Sequence, residues 1–311
     1  MNELVSRAEE LLTEVHRSRG DLNGRDLGFR SWTPHGKRKR RQRLFIASSI
    51  DGVDSLVVKV PVDDDDVMVA HEWKILSKLQ FARVKRPVPV RAAERGFVMS
   101  YVPAMDLADM LSPRPESWPE LLCDSLATAA RLHKAPANRL PSSAASVAST
   151  YVPDQSSLTA NTLSALRRAS SGPTHGDLGV WNIRIGDDGT MSLIDWEDYR
   201  QCGVPALDAL NILLTSALVL YPEYPTRGFD WLYEQVFVND GPFRQAMSKA
   251  LGAYCKITGD APGVVMRLTP FFCRWMIRRI SLQGRPTDGM FYATFAERFE
   301  AEPPPWLREP A

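Results

Sequence analysis

The sequence predicts an α+β chain in two lobes: a small antiparallel β-sheet with one key helix, then a mainly helical remainder. Three observations carry this. The first hundred residues hold short β-branched and aromatic runs broken by turn residues. After Tyr101 the apolar spacing becomes that of helices. The length, 311 residues, amounts to about two domains at ~150 residues each. The expected division is residues 1–100 and residues 101–311.

Residues 2–19 open the chain as a helix, with Leu4, Ala8, Leu11, Leu12 and Val15 on one face. A short strand is expected at Phe29 to Thr33. Strands Arg43 to Ser48 and Ser55 to Val60 flank Asp51-Gly52, a hairpin dipeptide. The acidic run Asp63 to Asp66 reads as a solvated cap for a helix from Val67 to Leu79. Two more strands follow at Val88 to Ala93 and Gly96 to Tyr101. Trp118 to His133 reads as a helix that stops before Pro136. Residues 135–172 are rich in Ser and Ala, the composition of a linker, with a helix possible at Thr159 to Arg168. Short strands return at Asn182 to Ile185 and Met191 to Ile194, and helices dominate from Leu207 on.

Composition narrows the class. The chain is 44% hydrophobic and 24% charged, ordinary globular usage that excludes a disordered or collagen-like chain. Net charge is +1, so bulk charge points to no nucleic-acid partner. Cys123, Cys202, Cys255 and Cys273 lie far apart with no CxxC pair, which argues for free thiols in a reducing compartment. The amphipathic N-terminus carries acids and does not read as a signal peptide. The longest charge-free apolar run, Ala209 to Tyr221, is too short to span a bilayer. A soluble cytoplasmic protein is expected, with its oligomeric state left open.

The stretch Thr174 to Tyr199, THGDLGVWNIRIGDDGTMSLIDWEDY, carries the chemistry. It reads as a loop, a hairpin and a second loop. Folding the hairpin back is expected to bring Asp177, Asn182 and Asp195 to one end of it. One carboxylate there can take a hydroxyl proton. The carboxamide and the other carboxylate offer oxygen donors to Mg²⁺. Positioning, a metal and a base are what phosphoryl transfer needs.

This stretch resembles the aminoglycoside phosphotransferase and choline kinase family, relatives of the protein kinases. The shared pattern is HGD, four residues, Asn, then a hydrophobic-Asp-aromatic-Glu strand end. The resemblance implies a protein-kinase-like fold, ATP and Mg²⁺ as cofactors, and a small-molecule hydroxyl as acceptor. It makes Asp177 the catalytic base and Asn182 and Asp195 metal ligands, with Glu197 at metal or water. His175 becomes a support of the catalytic loop. Asp208, after Gly203-Val204-Pro205, becomes the aspartate that steadies that loop. Upstream, Lys59 in the strand VVKV and Glu72 in the next helix match the pair that holds ATP phosphates. Phe97 to Val102 matches the adenine hinge, so Met99, Ser100, Tyr101 and Val102 are expected at the nucleotide.

Departures from the protein-kinase pattern favour a small-molecule kinase. Gly176 replaces the arginine before the loop aspartate, Glu197 replaces the metal-loop glycine, and no APE-type segment follows. An aminoglycoside-like or sugar acceptor is favoured. The alternatives are a kinase for choline, homoserine or another metabolite, and a non-catalytic nucleotide-binding module. No GxGxxG is present. Lys37 to Arg43 holds six basic residues in seven and reads as a solvated hairpin tip. Arg274, Arg278 and Arg279 share a helix with Phe271, Phe272 and Trp275, and read first as surface and packing residues.

Overall fold

A computed structural model describes residues 2–34, 42–63, 65–79, 84–102, 105–134 and 143–307. The chain begins with α1 (Asn2–Arg19), β1 (Leu27–Trp32), β2 (Arg43–Ile50), β3 (Val53–Pro61), α2 (Met68–Lys78), β4 (Pro89–Ala92), β5 (Phe97–Ser100) and β6 (Met105–Asp106). It continues with α3 (Leu107–Leu111), α4 (Trp118–His133), α5 (Ala160–Arg168), β7 (Gly172–Thr174), β8 (Ile183–Ile185), β9 (Met191–Leu193) and β10 (Arg200–Gly203). The remaining helices are α6 (Pro205–Leu220), α7 (Tyr224–Arg227), α8 (Phe229–Tyr233), α9 (Pro242–Thr258), α10 (Pro262–Met266), α11 (Thr269–Leu282) and α12 (Phe291–Ala301).

The chain packs as two units. The first is Met1–Met105 with Arg184–Asp198, and the second is Asp106–Ile183 with Tyr199–Ala311. The sequence division near residue 100 is therefore interrupted once, by the hairpin segment. That segment groups with the first unit because its backbone and carboxylates meet α2 and β3, as described below.

The first unit is built on a five-stranded antiparallel sheet in the order β1-β2-β3-β5-β4. The β2–β3 turn places both Asp51 (φ +52°) and Gly52 (φ +81°) in left-handed backbone, the geometry a two-residue hairpin needs. Strand alternation then sorts the side chains. Leu44, Ile46, Leu56, Val58 and Val60 face one way and pack with Ala8, Leu12 and Val15 of α1. Lys59 falls on the opposite face. At Gly96 (φ +101°) an added Cβ would overlap the Lys59 carbonyl oxygen, so glycine lets the chain enter β5 directly beside Lys59. A buried polar tie joins α1 to the sheet: His16 Nε2 lies 2.8 Å from Ser48 Oγ, and His16 Nδ1 lies 3.0 Å from Asp21. Ser48 is fully buried, so this tie has no route to a substrate.

The second unit is helical. Fourteen residues of α6 are buried, as a helix that is apolar on nearly every side must be. It starts with Pro205, which needs no N–H partner there. Antiparallel pairing of β7 with β10 aligns Thr174 with Arg200 and Gly172 with Gly203. The Ser/Ala-rich stretch is no linker from residue 143 on. It forms two short 3₁₀ turns, with Ala144, Ala148 and Tyr151 buried. Thr159 caps α5 by accepting the Thr162 N–H. Among the described residues no helix is long and apolar enough to cross a membrane.

Because Leu12 is fully buried in the α1–sheet cluster, Leu12→Ala is expected to cost about 2–5 kcal/mol through lost contacts and a residual cavity. Glu10→Ala, on the exposed side of the same helix, is expected to stay within about 0.5 kcal/mol. Urea unfolding of both variants checks this. Equal midpoints would show that α1 is not part of the core.

Candidate active site

In the first unit the site is a buried ion cluster. Lys59 on β3 is 2% exposed. Its Nζ donates to Glu72 Oε2 on α2 at 2.5 Å and to Asp195 Oδ1 at 2.8 Å. The other Glu72 oxygen, Oε1, accepts the Trp196 backbone N–H at 2.9 Å. Glu72 thus joins β3 to the turn after β9. Asp195 sits at φ +62°, a left-handed conformation that is costly for a residue with a Cβ and is least so for Asp and Asn.

A second cation enters the cluster from β2. Arg43 Nε donates to Asp66 Oδ2 at 3.0 Å, its guanidinium pairs with Glu197, and Nη1 lies 3.7 Å from Asp195 Oδ1. Asp66 Oδ1 accepts the Met68 N–H at 3.0 Å, which fixes the start of α2. Two expectations change here. The acidic run is not wholly solvated, because Asp66 is buried and charge-paired. The basic run does not end as a solvated tip, because Arg43 is buried; Lys37 to Arg41 lie outside the described residues. No sequence signal separated Arg43 from its basic neighbours, except that it opens the apolar strand.

Charge pairing sets the protonation of the cluster. Burial works against the Lys59 ammonium, but Asp195 and then Glu72 outweigh it and raise its pKa. Burial likewise opposes the Arg43 charge, and Glu197, Asp195 and Asp66 outweigh it. Burial pushes the Glu197 carboxyl up to about 7; the Asp195 charge adds to this, while Lys59 and Arg43 oppose it. Glu197 is paired with the Arg43 guanidinium.

Of the residues expected at the nucleotide, Met99 and Ser100 end β5, and Tyr101 and Val102 follow it. Met99 pairs with Val57 and Ser100 with Leu56, two or three positions along β3 from Lys59. Ser100 Oγ accepts the Val88 N–H, and the Tyr101 N–H donates to the Ser55 carbonyl. Tyr101 also takes a hydrogen bond from Arg30, at 2.7 Å. Val102 follows, half-buried.

In the second unit β7 delivers the loop His175-Gly176-Asp177. Gly176 is at φ +88°, which favours glycine over the arginine of protein kinases. The turn aims two backbone donors at one carboxylate: the His175 N–H reaches Asp208 Oδ2 at 2.6 Å and the Gly176 N–H reaches Asp208 Oδ1 at 3.0 Å. Asp208, in the first turn of α6, is buried and also lies 3.0 Å from His133 Nε2. The other His133 nitrogen meets the Tyr254 hydroxyl at 2.9 Å. His175 is itself fully buried.

Asn182 and Asp177 come together. The Asn182 side-chain N–H donates to the Asp177 carbonyl at 2.8 Å, so its Oδ1 is the atom available to a hard cation. Thr215 on α6 accepts the Val180 N–H at 3.2 Å and steadies the same turn. Arg279 on α11 donates from Nη1 to Asp177 Oδ1 at 2.8 Å. This contact is not visible in sequence, where Arg279 is one of three arginines on an aromatic helix. Among the described residues no group of three or more His, Cys, Asp or Glu is arranged to hold a metal. Carboxylate and carboxamide oxygens are the donor types that suit Mg²⁺, which keeps several waters and needs few protein ligands.

No family model and no curated protein matches the chain. Solved structures do. A macrolide 2′-phosphotransferase from Brachybacterium faecium is 16% identical over 97% of this chain and 99% of that one, with a TM-score of 0.51. An ethanolamine kinase from Plasmodium vivax is 14% identical over 88% and 82%, with a TM-score of 0.52. A choline/ethanolamine kinase family protein from Mesorhizobium loti is 15% identical over 90% and 88%, with a TM-score of 0.51. The chain has the protein-kinase-like fold of these proteins, as its resemblance to the aminoglycoside phosphotransferase and choline kinase family predicts.

Proposed function

We propose that the protein is an ATP-dependent, Mg²⁺-requiring phosphotransferase that phosphorylates a hydroxyl of a small molecule. The observation that carries this is Lys59, buried between Glu72 and Asp195. Burying an ammonium with two carboxylates costs desolvation that their attraction need not repay, so stability alone does not explain it, and a strand lysine paired to a helix glutamate is suited to phosphate oxygens. The neighbours above act on small molecules by their names, which supports the same reading.

In this reading Asp177 orients the acceptor hydroxyl and accepts its proton. The acceptor oxygen forms the new bond to the γ-phosphorus, the bond to the β–γ bridging oxygen breaks, and ADP leaves with that oxygen. Lys59 neutralises charge on the ATP phosphates, and Glu72 holds Lys59 in place. Asp195 and Asn182 are assigned to Mg²⁺, with Glu197 close in sequence to Asp195. Bound there, the metal supplies neutralisation of phosphate charge. Met99 to Val102 are assigned to adenine. Asp208 acts through the backbone of residues 175 and 176 and so positions Asp177.

Two variants test the assignments. Asp177→Asn keeps the shape but removes the proton acceptor. Phosphoryl transfer, read as ADP release, is expected to fall by about 10²–10⁴-fold while Mg-ATP binding is retained. Near-normal turnover would remove Asp177 as the base. Lys59→Met is expected to weaken Mg-ATP binding about tenfold or more. It also leaves Glu72 buried without its cation, at a cost of about 3–5 kcal/mol in unfolding free energy. Calorimetric titration with a non-hydrolysable ATP analogue and urea unfolding read the two effects separately. Unchanged nucleotide affinity would take Lys59 out of the phosphate site.

A further inference from the structure

The carboxylate assigned to the acceptor hydroxyl does not stand as surplus negative charge. Arg279 is paired to it, with only 9% of the arginine side chain exposed. The helix that brings Arg279 there is also unusual in charge. From Arg267 to Arg285 the chain has five arginines and no Asp or Glu. Arg274 is matched by Glu300 at 2.7 Å, and Arg267 donates to the Leu307 carbonyl. For Arg278, half-buried, no carboxylate lies within ion-pair distance among the described residues.

The same face of α11 that carries Arg279 carries Phe272, Trp275 and Met276, which line a small hollow together with Gly176 and Asp208. The helix is thereby laid against the catalytic loop. Tyr292 on α12 reports a neighbouring field: burial first, then Cys273 and Asp177, push its hydroxyl pKa up, while Arg279 and Arg285 oppose the rise. On the loop itself Trp181 stands four residues after Asp177 and is 49% exposed, the most exposed tryptophan among the described residues. An exposed indole is a platform on which a hydroxylated ring can stack.

We propose that the acceptor carries an anionic group, a carboxylate or a phosphate, beside its reacting hydroxyl, and that Arg279 binds this group while holding Asp177. The proposal rests on the phosphotransferase reading and narrows its substrate. A planar guanidinium offers five N–H donors in a fork that suits carboxylate or phosphate bidentately. A polycationic acceptor would instead place ammonium groups beside an arginine-rich, acid-free helix, and like charges there discriminate against it.

The test is calorimetric titration of the full chain, held with Mg²⁺ and a non-hydrolysable ATP analogue, against glucuronate, glucose 6-phosphate, glucose, glucosamine and kanamycin. One of the two anionic sugars is expected to bind at least about tenfold tighter than glucose and glucosamine. Arg279→Met is expected to lose about tenfold or more of that affinity with the nucleotide Kd unchanged, and Arg279→Lys to recover part of it. Glucosamine or kanamycin binding tighter than both anions, absence of binding by both anions, or an Arg279→Met variant with unaltered preference would each overturn the proposal. The wild-type order of affinities decides the matter even if Arg279→Met does not fold. Wild-type protein that fails to bind the nucleotide analogue would instead remove the phosphotransferase reading, so the two failures are distinct.

Discussion

Lys59 is buried to within 2% of its surface, and a lone ammonium at that depth would deprotonate or unfold its surroundings. The first unit is organised around preventing this. Glu72 and Asp195 come from distant parts of the chain and meet at one nitrogen. Glu72 uses its second oxygen on the Trp196 backbone, so the same carboxylate that matches the charge also fixes the turn carrying Asp195. That is why Arg184–Asp198 belongs with the sheet despite beginning 84 residues after its last strand, β5, ends at Ser100. Arg43 repeats the device with Asp66 and Glu197, and Asp66 passes it on to the start of α2.

Asp208 plays the corresponding part in the second unit. A buried carboxylate needs donors, and it finds them in two consecutive backbone N–H groups and a histidine. The loop, turned through left-handed backbone at residue 176, presents both amides to it. The glycine there, the aspartate on α6 and the histidine on α4 are therefore one structural decision distributed over three elements. The side chain of Asp177 is aimed by that decision without touching Asp208.

Much of this was legible from residue order. The hairpin turn at Asp51-Gly52 and the helix Trp118–His133 follow from short-range chemistry that a sequence displays, whereas the role given to Asp208 is implied only by the family resemblance. The pairing of the strand lysine with the helix glutamate 13 residues on is implied by the family resemblance rather than by periodicity, and the two side chains do meet. Arg43, Asp66 and Arg279 could not be read. Each sits in a run of like residues, and what distinguishes it is burial beside a partner 23 or 102 residues away. Tertiary burial, unlike periodicity, leaves no local mark. The Ser/Ala-rich stretch misled for a related reason: small residues suit a linker, but they equally suit tight 3₁₀ turns whose alanines fill a core.

Both carboxylates central to the proposed reaction are held by a buried cation, Asp195 by Lys59 and Asp177 by Arg279. The cation of each pair was desolvated when the chain folded, so that part of the cost is not incurred again when a substrate arrives. Dipoles and charges fixed in advance stabilise a developing charge without reorganising at the moment of reaction. The conformations agree with this. Asp195 is held in left-handed backbone by its bond to Lys59 and by the Trp196–Glu72 bond one residue on. Strain of this kind persists only where neighbouring contacts over-determine it, and it gathers at functional positions. Loosening either cation would therefore release a carboxylate from its geometry as well as from its partner, which is why charge and backbone at this site cannot be changed independently.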